Sequence, residues 1–148
     1  KAGAKNYAVI NLCDDDRDGD GIREKSYMHM YGGTVIGRDA QGYSGSSVRL
    51  MMTTQFNMYG GTIRGDKANA GSAIYMDSSN GCANLQGGTI TGGKSDKGAV
   101  YASNGKLIIG GDVQITGNTT LDGSAPSNVY LAGNVKDNGK ACDHHDCH

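Results

Sequence analysis

Two stretches of this chain carry reactive side chains at a density that suits a site: "DDDRDGDGIRE", Asp14 to Glu24, and "CDHHDCH", Cys142 to His148. In the first, Asp16, Asp18 and Asp20 recur every second residue with Gly19 and Gly21 among them. A tight loop with that spacing turns several carboxylates toward one hard cation, with Asp14 leading in and Glu24 placed as a later acidic ligand. Calcium is the natural guest, and a solvated acidic loop is the alternative. Twelve-residue frames that begin at Asp14 or Asp16 end on Lys25 or Tyr27, where an EF-hand needs a bidentate Glu, so the loop is not read as an EF-hand.

The second stretch packs Cys142, His144, His145, Cys147 and His148 into seven residues. Thiolates and imidazoles together form a soft metal site, with zinc as the default ion. The same letters spell Cys-x4-Cys-His, a widened form of the c-type haem attachment motif, in which the two cysteines bond the vinyl groups and His148 ligates iron. The usual spacing is Cys-x-x-Cys-His. A local disulfide, or a fragment of a following domain, accounts for the letters equally well. Cys13 and Cys82 complete an even count, and spacing alone does not pair them.

The elements that position these groups follow from a repeat. "MYGGTVIG" at Met30 to Gly37 returns as "MYGGTIRG" at Met58 to Gly65, then as "LQGGTITG" at Leu85 to Gly92 and more loosely as "IIGGDVQITG" at Ile108 to Gly117. The Gly-Gly pairs start at Gly32, Gly60, Gly87 and Gly110, spacings of 28, 27 and 23 residues. A period of that size marks a solenoid whose units bury their apolar faces only by stacking. Within each unit short runs alternate apolar and polar residues and break at Gly, Asn, Asp and Ser, which is strand-and-turn chemistry. Three strands per coil are predicted. The first carries Met28 and Met30, Phe56 and Met58, Ala83 and Leu85; the second carries Val35, Ile63, Ile90 and Ile115. The third carries Val48 and Leu50, Ile74 and Met76, Val100 and Ala102, Val129 and Leu131. The predicted fold is all-β: a right-handed parallel β-helix of about four to five coils over residues 1–135, with the Asp-rich loop at 14–24 and a Cys/His-rich tail at 136–148.

On the outer side of the third strand the same alignment stacks Arg49, Tyr75, Tyr101 and Tyr130 in one column. Aromatic faces with polar tips accept sugar rings, and a fixed repeat suits a linear glycan. Aligned tyrosines also stabilise a sheet with no ligand at all. Tyr31 and Tyr59, followed by Gln86, form a weaker second column. His29, the one histidine outside the tail, falls on an outer strand position and reads as a surface residue.

Composition limits the partners. The 148 residues fit one domain. Glycine contributes 25 residues and proline one, without a collagen period, so the glycines serve regular turns. With 14 basic and 15 acidic residues the net charge is −1, and no basic field exists for nucleic acid. No apolar run approaches a membrane span, so no membrane insertion is expected. The chain opens at Lys1 with neither Met nor a signal peptide, and reads as a mature or excised piece.

The runs "FNMYGGTIRG", "GSAIYMDSSNG" and "GNTTLDGSAPSNVYLAGN" resemble the Gly-Gly-Thr-Ile β-helix repeats of large surface proteins from gut-type Gram-positive bacteria, in the pectate-lyase-like superfamily. The resemblance covers about residues 26 to 135. It implies the β-helix fold and an extracellular or cell-surface location in a bacterium, but not one function, since such folds serve lyases, hydrolases, adhesins and stalks. The acidic loop is similar to the calcium loops of thrombospondin type 3 and dockerin-like repeats. An enzyme of this superfamily needs acidic and basic residues gathered on one face; Asp14 and Asp15 are an isolated pair, and the Gly-His-Gly and Arg-Ile-Lys signatures are absent. The expectation is therefore a non-catalytic structural or adhesin-like module stabilised by calcium. The alternatives are a carbohydrate-binding module that uses the Tyr column and a haem- or metal-bearing filament subunit. Partners would be a glycan, a surface protein or further copies joined end to end.

Overall fold

The computed structural model describes residues 8–77 and 81–132. Among them every regular element is a strand, and every strand pairing is parallel. The result is a β-solenoid of about four turns, the parallel β-helix expected from the repeat. One five-stranded sheet runs β1 (Ile10–Leu12), β5 (Val48–Leu50), β9 (Ile74–Met76), β12 (Val100–Ala102), β15 (Val129–Leu131). A second stacks β2 (Tyr27–Met30), β6 (Gln55–Met58), β10 (Cys82–Leu85) and β13 (Lys106–Ile109), and a third stacks β3 (Thr34–Ile36), β7 (Thr62–Arg64), β11 (Thr89–Thr91) and β14 (Gln114–Ile115). The fourth, β4 (Ala40–Ser44) on β8 (Ala68–Ala70), was not anticipated. Its register shifts between Ala40 and Ser44, so "AQGYS" shows no clean alternation from which a strand could be read.

The predicted columns are the observed registers. Val35, Ile63, Ile90 and Ile115 align, as do Val48, Ile74, Val100 and Val129. Phe56, Met58, Leu50, Ile63, Ile74, Met76, Leu85, Ile90 and Val100 are sealed from solvent in one continuous core. At the last strand the pattern changes: Val129 and Leu131 are exposed, because β15 lies at the end of its sheet.

The Gly-Gly corners have two separate reasons. The second glycine of each pair, Gly33, Gly61, Gly88 and Gly111, has positive φ, where an L side chain is strained. The first is crowded once a coil lies beneath it: a Cβ on Gly60 would lie 2.5 Å from the Tyr31 carbonyl oxygen and one on Gly87 2.3 Å from that of Tyr59, whereas one on Gly32, in the first coil, meets nothing within 4 Å. Small hydroxyls and amides close the other corners. Ser47 donates to the Arg64 carbonyl at 2.9 Å, and buried Asn118 accepts from Gly93 N–H at 2.9 Å while donating to the Ile90 carbonyl at 3.1 Å.

Candidate functional sites

The acidic loop leaves the solenoid between β1 and β2 and is closed at its base by an antiparallel bridge between Asp15 and Glu24. Glycine at positions 19 and 21, both with positive φ, lets the chain curl around its own carboxylates. Asp16 accepts from Gly19 N–H at 2.8 Å and Gly21 N–H at 2.9 Å, Asp18 from Asp20 N–H at 3.2 Å, and Asp20 from Ile22 N–H at 2.7 Å. Glu24 accepts from Arg17 N–H at 2.8 Å. One oxygen from each of Asp16, Asp18, Asp20 and Glu24 lies within 4.8 Å of the others. That separation matches the width of a calcium coordination sphere, about twice a Ca–O distance of ~2.4 Å.

Asp14, grouped with these residues on spacing, is held apart from them. It is buried, and its carboxylate accepts from Ser26 N–H at 3.3 Å, from Thr53 N–H at 3.0 Å and from the Thr53 hydroxyl. A carboxylate so engaged ties the root of the loop to the coil above it. Spacing placed Asp14 in the right loop without telling which way its side chain turned.

The outer column on the five-stranded sheet is present as drawn. Arg49, Tyr75, Tyr101 and Tyr130 occupy one register across β5, β9, β12 and β15. Tyr75 and Tyr101 stack with centroids 5.1 Å apart at 13°, Tyr101 and Tyr130 at 5.6 Å and 12°. The Arg49 guanidinium lies 5.7 Å from the Tyr75 ring centre and forms an ion pair with Asp77. Partial burial, with the negative charge of Asp77 nearby, pushes the Tyr75 hydroxyl pKa upward. Since the strand spacing is about 4.8 Å, the rings lie face to face along the solenoid axis and turn their edges to solvent.

The second column is also a stack: Tyr31 and Tyr59 lie 5.3 Å apart at 16°. His29 joins it, nearly parallel to both rings at 6.3 and 6.4 Å, and its Nδ1 lies 3.4 Å from Asn57 Nδ2. Beside it runs an amide row that the sequence reading missed. Asn57 Oδ1 accepts from Gln55 at 3.1 Å and from Asn84 at 3.3 Å, and Asn84 Oδ1 accepts from Gln86 at 2.7 Å. The signal was there: Asn57 and Asn84 hold the same place in "QFNMYGG" and "CANLQGG".

Cys13 carries a free thiol and Cys82 is disulfide-bonded, so the two do not pair with each other. The tail residues Cys142, His144, His145, Cys147 and His148 lie outside the described residues. Among the described residues no helix is long and apolar enough to cross a membrane. No protein-family model, curated protein or solved structure matches this chain.

Proposed function

We propose that the chain is a non-catalytic extracellular β-solenoid with a structural or adhesin-like role, whose first coil is ordered by calcium in the loop of Asp16, Asp18, Asp20 and Glu24. The observation that carries this reading is the mutual stacking of Tyr75, Tyr101 and Tyr130. A sugar ring binds an aromatic side chain through an open face, and in this column Tyr101 has a ring on each side while Tyr75 lies between Tyr101 and the Arg49 guanidinium. The ladder thus serves the stability of the coil stack. Among the described residues the three main sheets end on β1, β2 and β3 at one end and on β13, β14 and β15 at the other, and such edges favour end-to-end association with further copies or a neighbouring protein.

A carbohydrate-binding reading is favoured where a column ends: Tyr130 is 39 % exposed with one ring partner among the described residues, and Tyr31 is more open. Tyr31 begins its column, is 74 % exposed, and has no ring on its other side among the described residues. The test is a glycan array with the intact protein beside thermal denaturation of Tyr101→Ala and Tyr31→Ala variants. Loss of thermal stability in Tyr101→Ala, with no glycan bound, supports the structural reading. A glycan bound by the parent and lost in Tyr31→Ala replaces it with the carbohydrate reading.

A further inference from the structure

Among the described residues four steps join aspartate or asparagine to glycine: Asp18–Gly19, Asp20–Gly21, Asn104–Gly105 and Asp122–Gly123. Such a step is chemically fragile, because a glycine nitrogen reaches the preceding side-chain carbonyl with no Cβ of its own in the way, and an amide carbon is a better target than that of an ionised carboxylate. In three of the four the nitrogen is occupied. Gly19 N–H and Gly21 N–H donate to the Asp16 carboxylate, and Gly123 N–H donates to the Thr120 carbonyl at 2.9 Å. Among the described residues Gly105 N–H donates to nothing, and the Asn104 side-chain amide makes no hydrogen bond. The turn that holds them joins β12 to β13, and β13 is the last strand of its sheet, so no further described strand lies over the turn to restrain it.

We infer that Asn104 is a site of spontaneous covalent modification, closing on Gly105 to a succinimide that water opens to isoaspartate or aspartate. In the first step a bond forms between Gly105 N and Asn104 Cγ, the Cγ–Nδ2 bond breaks, and the amide nitrogen leaves as ammonia with the proton of Gly105 N–H. In the second, water adds to one of the two ring carbonyls and the C–N bond at that carbon breaks, returning a proton to the nitrogen. Opening at the main-chain carbonyl gives isoaspartate, and opening at Cγ gives aspartate.

The isoaspartate branch changes the fold because of where it lies. It routes the main chain through the side chain of residue 104 and so adds one carbon ahead of Gly105. That glycine has no room to give: a Cβ on it would lie 2.3 Å from the Gly81 carbonyl oxygen, the same oxygen that accepts from Lys106 N–H at 2.9 Å. The added carbon displaces the start of β13, where Lys106 pairs with Cys82, and loosens the outermost coil. The aspartate branch adds only a charge.

Timed incubation of the intact protein at neutral pH tests the inference. Trypsin releases Asn104 in peptide 98–106, "GAVYASNGK", and the same peptide made synthetically supplies the unrestrained rate. Peptide 98–106 from the folded protein is expected to convert to isoaspartyl and aspartyl forms within about tenfold of that rate, since no hydrogen bond must open first. Conversion more than about tenfold slower than in the free peptide would overturn the site. In the aged isoaspartyl fraction the Lys106 amide should exchange with solvent faster than in fresh protein, while Asn104→Asp leaves its exchange unchanged. Equal exchange in fresh and isoaspartyl protein would overturn the loosening of β13.

Discussion

Tyr75 and Tyr101 stand at the same register on adjacent parallel strands, and their rings meet at 5.1 Å and 13°. Tyr101 is the middle of three stacked rings, so it alone makes two ring contacts within the tyrosine column. An aromatic pair contributes about 0.5–1.5 kcal/mol beyond the area it buries. Tyr101→Ala is therefore expected to lose about 2–3 kcal/mol by urea denaturation, and Tyr130→Ala less, since Tyr130 has one ring partner. Tyr101→Phe should keep most of the stability, because the stacking needs the ring and not the hydroxyl.

The corner glycines give a paired prediction. Gly33 and Gly88 hold equivalent corner positions with φ of +82° and +85°, yet a Cβ on Gly33 meets nothing within 4 Å, while one on Gly88 lies 2.5 Å from the Gly61 carbonyl oxygen. Gly33→Ala should cost only the conformational strain, about 1–2 kcal/mol. Gly88→Ala adds a clash with backbone that has coils on both sides, and should cost at least about 3 kcal/mol or prevent folding. Equal effects of the two changes on the denaturation midpoint would remove stacking as the reason for the repeat.

How much of this was legible in the sequence differs from feature to feature. Periodicity and alternation set the three main strands and the core columns, because each coil writes the same geometry again and four copies average out local noise. The exposure of Leu131 was not legible, since its column position is a core position and only the end of the stack leaves it 57 % exposed. The β4-β8 pair was hidden by its shifted register. For the acidic loop, spacing identified the residues, but side-chain direction is a tertiary property. Asp14 turns inward because Ser26 and Thr53 supply donors from later in the chain. The tyrosine column was legible from the register, whereas its stacking along the axis, which puts a ring on each side of Tyr101, needed coordinates.

Calcium should act on the loop and on the first coil that the loop leaves. Isothermal titration with calcium is expected to show one site, weakened at least tenfold by Asp18→Asn, and saturating calcium should raise the unfolding temperature of the parent. Asp14→Ala behaves differently. It leaves the part-buried donors Ser26 N–H and Thr53 N–H without their acceptor and should cost about 1–3 kcal/mol with or without calcium. A titration that reveals no heat and no thermal shift would return Asp16, Asp18, Asp20 and Glu24 to a solvated loop.

The loop after β14 supplies a pH prediction. Asp122 accepts from the Thr120 hydroxyl at 2.6 Å, from the Ser124 hydroxyl at 2.7 Å and from Ser124 N–H at 2.9 Å. Those bonds favour the ionised carboxylate and lower its pKa from 3.8 to about 2. A lowered folded-state value means that the ordering of the turn is fully present above the unfolded value near 3.8 and fades as pH falls through about 2. The Asp122 carboxyl resonance should accordingly titrate near 2 in carbon-detected NMR, and Asp122→Asn should speed exchange of the Ser124 amide at neutral pH. A midpoint at an ordinary aspartate value would show that Thr120 and Ser124 do not hold the carboxylate in solution.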